Sequence, residues 1–176
     1  MINLVFSTLI LFCVSSLGYS QTDDSNITTI FLHRHAEAKF PPYKNDPPDP
    51  ELNNAGKERA QLLMRTLASA EITEIYSTQR NRTIQTATPL AKVLGLEIQI
   101  YNGRELASFA DQLKAKTGRI LVSGHSNTTP ELVSLLGGDP GEPINEKTQF
   151  DRIYVLTLMN GETIDTILLK YGVNYD

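Results

Sequence analysis

The sequence predicts an α/β fold, a sandwich in which helices cover a largely parallel β-sheet. Short runs rich in β-branched residues alternate with segments of helical periodicity, the pattern typical of such folds. The first run, residues 27–33, is apolar at both parities, as expected of a strand covered on both faces. A length of 176 residues with 40% hydrophobic content fits one domain of ordinary size.

The first half of the chain predicts two strand–helix pairs. After the first strand, residues 36–51 hold five of the nine prolines, which predicts a long irregular loop. Asn53 or Asn54 then caps a helix that runs to about Ser69. A strand follows at residues 72–76. The next helix begins at about Asn81 and is ended by Gly95.

The second half continues the alternation and closes with a hairpin. Thr129, followed by Pro130 at the first helical position, predicts the start of a helix that Gly137-Gly138 ends. Asn160-Gly161 predicts a tight hairpin turn. The predicted elements in order are a strand at 96–101, a helix at 106–116, a strand at 119–123, a helix at 129–136 and hairpin strands at 152–158 and 163–171.

Polar and charged residues follow three of the predicted strands. His35 comes after the first strand, residues 77–82 after the second and His125 after the fourth. Ligands of parallel sheets bind outside the carboxyl ends of the strands, so we expect these groups to share one edge.

Two histidines and two arginines in such a place suit phosphoryl transfer. A neutral imidazole attacks phosphorus through one nitrogen while the other stays protonated. A planar guanidinium binds two phosphate oxygens at once, so Arg34 and Arg82 would neutralise the phosphoryl group. A protonated His125 would add a third positive donor, and this chemistry needs no metal and no cofactor.

Four segments in this order resemble the histidine phosphatase superfamily (the phosphoglycerate-mutase-like branch 1). They are Arg34-His35-Ala36, where the family has Arg-His-Gly, then residues 52–60, residues 77–87 and residues 124–127. The resemblance covers roughly residues 27 to 158. It implies a three-layer α/β/α sandwich with a mostly parallel central sheet and a phosphatase that forms a phosphohistidine intermediate.

The resemblance also assigns roles to individual residues. It makes His35 the nucleophile and places Arg34, Arg82 and His125 in the phosphate pocket. Ala36 in place of glycine reduces backbone freedom beside the nucleophile but fits wherever φ is negative.

Two functions within the site stay open. Asn127 could reach the phosphate oxygens through its amide, or could simply lie in the turn before the next helix. For the general acid, Glu105 is the better placed carboxylate and Asp111 the weaker one, but Glu105 also stands where an acidic residue stabilises a helix N-terminus. Some members of the family lack this carboxylate and act on leaving groups that need little protonation.

A metal site is the alternative reading of His33 and His35. A His-x-His pair at a strand end can ligate zinc, but the chain has only one further histidine and no motif that completes a ligand set. We therefore interpret His33 as a core or supporting histidine.

The chain's start predicts export. Residues 1–20 form an apolar segment with Gly18 and Ser20 at positions that suit cleavage before Gln21, which leaves a single domain of residues 21–176 in the periplasm or outside the cell. The segment lacks lysine and arginine, so a membrane anchor or a buried strand is the alternative. Cys13 would suit a lipoprotein except for the bulky residue before it, and it is the only cysteine.

The expected partner is a small phosphorylated molecule. A net charge of −4 without a basic block argues against nucleic acid, and nothing in the sequence indicates the oligomeric state. The alternatives are a phosphoglycerate mutase, a protein phosphohistidine phosphatase, or a module that binds phosphorylated ligands without turnover.

Overall fold

The computed structural model describes residues 26–39 and 49–173. The predicted export segment at residues 1–20 and residues 40–48 of the predicted loop lie outside these ranges. Residues 38 and 52, at the two ends of that loop, form an isolated antiparallel bridge. The loop therefore leaves and rejoins the fold at one place.

The described residues form a six-stranded sheet in the order β3-β2-β4-β1-β5-β6. The pairs β1–β4, β2–β3 and β2–β4 are parallel, whereas β5 is antiparallel to both of its neighbours. The predicted mostly parallel sheet is confirmed. The strands are β1 (Ile27–Arg34), β2 (Glu74–Thr78), β3 (Ile98–Tyr101), β4 (Gly118–Gly124), β5 (Arg152–Met159) and β6 (Glu162–Lys170).

Helices cover both faces of this sheet, which confirms the three layers. Residues of α1 and α2 pack against one face, where Leu121 is buried, and residues of α3 and α4 pack against the other, where Ile120 and Val122 are buried. No helix in the described ranges combines the length and apolar character needed to cross a membrane. The helices are α1 (Asn54–Leu67), α2 (Asn81–Leu94), α3 (Leu106–Lys114) and α4 (Thr128–Leu135).

Most helix ends follow the sequence signals, with one correction. The side chain of Asn53 caps α1 by accepting from the amide of Gly56 at 2.9 Å, and Gly95 ends α2 at φ 68°. The prediction that Thr129 caps α4 is wrong, because the helix begins at Thr128. The hydroxyl of Thr129 instead donates to the carbonyl of His33 at 3.3 Å and so ties α4 to β1.

The register brings the ends of three adjacent strands together. Arg34 of β1 lies opposite Gly124 of β4, and Ser77 of β2 lies opposite Ser123. The chain therefore leaves β1, β2 and β4 at the same edge. Gly124 cannot carry a side chain there, since a Cβ atom would lie 2.7 Å from the hydroxyl oxygen of Thr129.

Candidate active site

His35 lies just past β1, only 4% exposed. Its Nδ1 lies 2.7 Å from the carbonyl oxygen of Ala36, an atom that can only accept, so Nδ1 carries the proton and Nε2 keeps its lone pair. Burial lowers the pKa of His35 to about 3, and the positive charges of Arg34 and Arg82 add to the effect. The imidazole is therefore neutral near pH 7, the form that can attack phosphorus.

His125 faces His35 from the end of β4. The two ring centroids are 5.5 Å apart and the planes cross at 67°. Nδ1 of His125 accepts from Nη2 of Arg82 at 3.3 Å, so Nε2 carries the proton and donates to the Thr78 hydroxyl at 2.9 Å. Burial, followed by the charge of Arg82, lowers the pKa of His125 to about 4.

The predicted protonated form of His125 is the form expected when a phosphoryl group is bound. Burial, followed by the positive charge of Arg82, lowers the pKa of His125 and so favours the neutral ring near pH 7. A phosphoryl dianion at Arg82 would reverse that field and favour protonation. The protonated form therefore stays a prediction for the complex.

Thr78 contacts His125, a role that was not predicted from the sequence. Besides accepting from His125, its hydroxyl lies 3.0 Å from the hydroxyl of Thr83, which contacts the carbonyls of Thr78 and Arg80 at 3.0 and 2.9 Å. The donors thus run in one direction, from Arg82 through His125 to Thr78 and Thr83. This series fixes the ring of His125 and its tautomer.

Arg82 lies in the first turn of α2 between His125 and an acidic residue that the sequence analysis missed. Nη1 of Arg82 lies 3.7 Å from Oδ1 of Asp49. Both carboxylate oxygens of Asp49 also accept from the amide of Asn81 at 3.0 Å, at the start of α2. Asp49 comes from the proline-rich loop, whose sequence has no periodicity that could have predicted this contact.

Arg34 is buried, and its guanidinium is engaged by backbone. Nη1 donates to the carbonyls of Asn145 and Gln149 at 3.2 and 2.9 Å, and Nη2 donates to that of Glu146 at 2.6 Å. The guanidinium carbon lies 4.0 Å from the ring centroid of Phe150, while Nε is buried without a partner in the described ranges. Burial lowers the pKa of Arg34 to about 10, so it stays cationic near His35. Direct contact of its terminal nitrogens with phosphate stays a prediction that requires exchange of these carbonyls.

An open cleft of about 1220 Å³ adjoins this cluster. Asn127 lies at its rim, exposed, at the N-cap of α4 without a capping hydrogen bond from its side chain. The cleft also contains residues that the sequence analysis assigned to solvent or to no role. Its described lining includes Asp49, Thr78, Arg80, Arg82, Ile84, Ile100, Asn102, Gly103, Arg104, His125 and Asn127.

The two candidate acids lie elsewhere. Glu105 is exposed at the N-cap of α3 and lines a separate concavity of about 230 Å³ with Tyr76 and Ser108. Asp111 is exposed further along α3. Neither is among the described residues that line the cleft. Within the described residues, no hydrogen bond or ion pair joins either carboxylate to His35 or His125.

The backbone beside His35 is held by α2. The hydroxyl of Thr86 accepts from the amide of Ala36 at 2.9 Å and donates to the carbonyl of Arg82 at 2.7 Å. The side chain of Thr86 therefore connects the backbone of Ala36 to the backbone of Arg82. Ala36 is itself fully buried, so the alanine methyl group is accommodated.

A buried ion pair supports the same segment. Nε of Arg59 donates to both carboxylate oxygens of Glu37 at 3.0 and 2.9 Å, and its Nη1 donates to the carbonyl of Tyr171 at 3.0 Å. Gly56 allows α1 to approach, because a Cβ atom there would lie 2.0 Å from the carbonyl oxygen of Glu37. Arg59 and Gly56 both lie in residues 52–60, one of the four segments that resemble the family.

His33 is a core residue, as interpreted. It is fully buried, and its Nδ1 donates to the carbonyl of Arg34 at 2.8 Å. Within residues 26–39 and 49–173, no three histidine, cysteine or acidic side chains are placed to hold a metal ion.

Residues 30–107 match the family model of the histidine phosphatase superfamily (branch 1). The fold is similar to that of the protein histidine phosphatase SixA complexed with tungstate, at 18% identity and a TM-score of 0.66 over 81% of this chain and 96% of that one. A putative phosphohistidine phosphatase SixA from Agrobacterium tumefaciens aligns at 21% identity and a TM-score of 0.62 over 80% and 97%. No curated protein matches the sequence.

A mycobacterial glucosyl-3-phosphoglycerate phosphatase also has a similar fold. It aligns at 13% identity and a TM-score of 0.61, over 82% of this chain and 98% of that one. Identities this low carry the fold alone. Together with the family match, they confirm the resemblance and the phosphoglycerate-mutase-like α/β architecture that it implied.

Proposed function

We propose that this chain, whose residues 30–107 match the histidine phosphatase superfamily, is a metal-independent phosphatase that forms a phosphohistidine on His35. The observation that carries the proposal is the state of that side chain. Nδ1 is committed to the Ala36 carbonyl, and burial holds the ring neutral, which leaves Nε2 as the attacking atom.

The reaction then has two steps. Nε2 of His35 attacks phosphorus, the bond to the leaving oxygen or nitrogen breaks, and the leaving group takes the electron pair. Water next attacks the phosphohistidine, the N–P bond breaks, and inorganic phosphate leaves with His35 restored. Arg82 and His125 bind the phosphoryl oxygens in both steps, and Arg34 adds positive charge near His35.

The position of the carboxylates selects the leaving group. Glu105 lies outside the cleft, and Asp49 is engaged by Arg82 and by the start of α2. A substrate whose leaving group needs little protonation, such as an aryl ester, fits this arrangement best. A phosphohistidine side chain also meets this requirement, which favours a protein phosphohistidine phosphatase over a phosphoglycerate mutase as the second candidate.

The test is phosphate release from 4-nitrophenyl phosphate and from 3-phosphoglycerate, with and without EDTA. We expect turnover of the aryl ester that EDTA does not reduce and that His35→Ala abolishes. Quenching the reaction of labelled substrate with alkaline detergent should trap a phosphoprotein that is stable in alkali and loses its label in acid. Turnover that persists in His35→Ala would refute the nucleophile, and phosphate binding without any turnover would establish a binding module instead.

A further inference from the structure

The cleft beside His125 is cationic on an acidic chain. Its described lining carries three guanidinium groups, Arg80, Arg82 and Arg104, against one carboxylate, Asp49, although the whole chain has a net charge of −4. Arg82 and Asp49 form an ion pair with each other. Arg80 and Arg104 are therefore the excess charge of the cleft.

These two arginines have no acceptor for their guanidinium groups within the described residues, and both are exposed. Their backbones are nevertheless held in place. The amide of Arg80 donates to the Thr78 carbonyl at 2.8 Å. The amide of Arg104 donates to the side chain of Asn102 at 3.1 Å, and Gly103 between them packs so closely that a Cβ atom would lie 3.3 Å from Thr78.

Arg80 also acts electrostatically on the site. Its charge contributes to the lowered pKa of both His125 and Arg82, after the larger effect of burial. An anion bound between Arg80 and the turn at 102–104 would therefore lie within electrostatic reach of the phosphate pocket. Exposed Ile100 and half-buried Ile84 line the same cleft and offer apolar contact to whatever joins the two anionic groups.

The groove on the other side of Asn127 has the opposite character. It encloses about 470 Å³ and is lined by Glu131 and Glu146 together with Pro130 and Ile144, with no basic side chain in its described lining. A second anionic group would be repelled there. The charge distribution thus gives the rest of the substrate one direction in which to lie.

We propose that the substrate is a small phosphorylated molecule with a second anionic group, a carboxylate or another phosphoryl group, which Arg80 and Arg104 bind while Arg82 and His125 hold the scissile phosphoryl group. The proposal rests on the proposed function of the site and adds its substrate class. Guanidinium groups suit both anions because each presents paired oxygens to the planar donor.

The test uses two isosteric esters that differ by one charge, 4-carboxyphenyl phosphate and 4-carbamoylphenyl phosphate, with 1,4-phenylene bisphosphate to compare the two kinds of second anion. Each is measured on wild type, Arg80→Gln, Arg104→Gln and the double variant. Arg119→Gln is the matched control, because Arg119 is an exposed arginine that pairs with Glu71 at the opposite end of β4.

We expect wild type to prefer the carboxylate ester over the amide in kcat/KM. Each single variant should reduce that preference about fivefold, the factor that corresponds to ~1 kcal/mol for an exposed ion pair. The double variant should remove the preference, whereas Arg119→Gln should keep it and should leave kcat/KM for both esters within about twofold of wild type. The same ratios of Kd, measured by calorimetry on His35→Ala, report binding without turnover.

The outcomes separate the two proposals. Turnover of both esters at equal kcat/KM would overturn the second anion site and leave the phosphatase intact. No turnover, with a Kd preference on His35→Ala that the Arg80 and Arg104 substitutions remove, would overturn the phosphatase and leave the site. Equal Kd values without turnover would overturn both. A preference for the bisphosphate alone would assign the second group as phosphoryl rather than carboxylate.

Discussion

His35 should remain a nucleophile in mildly acidic solution. Protonation removes the attacking lone pair, so the reactive fraction is the neutral one, which is present above the pKa. With the pKa at about 3, about 99% of His35 is neutral at pH 5, whereas an imidazole with an ordinary pKa of about 6.5 would be only about 3% neutral. The structure therefore predicts an advantage of about 30-fold at pH 5 over an unperturbed histidine.

The same lowered pKa makes the folded state less stable in acid. The folded pKa lies below the unfolded value, so the folded state binds fewer protons and is fully stabilised only above pH 6.5. That stabilisation is lost as the pH falls toward the folded pKa. At low pH we therefore expect unfolding to end activity before protonation of native His35 does.

Proton NMR can measure this directly, because the chain has only three histidines. We expect the C2 proton of His35, assigned with a His35→Ala control, to show no titration in the native protein between pH 8 and pH 5. Circular dichroism at each pH confirms that the protein is folded. A midpoint near 6.5 in folded protein would refute the inference that burial and the nearby arginines hold His35 neutral.

Four substitutions test other parts of the structure. Arg82→Lys keeps the charge but not the paired donors, and should lower kcat/KM on an aryl ester about 100-fold. Glu105→Gln should leave that value within about twofold, since Glu105 lies outside the cleft. Gly56→Ala should destabilise the fold by about 3 kcal/mol in urea titrations, because its methyl group would meet the carbonyl of Glu37. Between pH 8 and pH 5, His33→Gln should lose about 2 kcal/mol less unfolding free energy than wild type, since burial lowers the pKa of His33 to about 4.

Each of these expectations has a contrary result. Full activity of Arg82→Lys would mean that charge alone binds the phosphoryl group. A large loss in Glu105→Gln would identify that carboxylate as the acid after all. Unchanged urea midpoints for Gly56→Ala would show that α1 can move away from the loop. Equal pH dependence of wild type and His33→Gln would place the acid sensitivity elsewhere.

The layers and the succession of strands and helices along the chain were predictable because periodicity and turn residues are local signals. The alternation of β-branched runs with helices was sufficient to predict the sheet. Side-chain type predicted Gly95 as the end of α2 and narrowed the cap of α1 to Asn53 or Asn54, of which the structure selects Asn53. The start of α4 was misplaced by two residues. Thr128 and Thr129 have the same side chain, but the hydroxyl of Thr128 accepts from the amide of His125, whereas that of Thr129 donates to β1.

The site residues whose side-chain type alone indicates their chemistry were predictable from the sequence. Histidines and arginines after strand ends pointed to one edge, and the structure brings His35, His125 and Arg82 together there. Asp49 and Thr78 were not found, because their roles depend on which loop lies against α2 and on the rotamer of His125. Sequence spacing carries neither kind of information.

The hydrogen-bond acceptors of Arg34 determine which sequence changes the segment of residues 145–149 can tolerate. In the part of the chain that the structure describes, the acceptors that contact its terminal nitrogens are all main-chain oxygens, from residues 145, 146 and 149. Almost any side chain can be exchanged at those positions without removing an acceptor, whereas deletion or insertion of one residue would shift all three. Relatives of this chain could therefore differ in every letter of the segment and still retain the contact, provided that its length is kept.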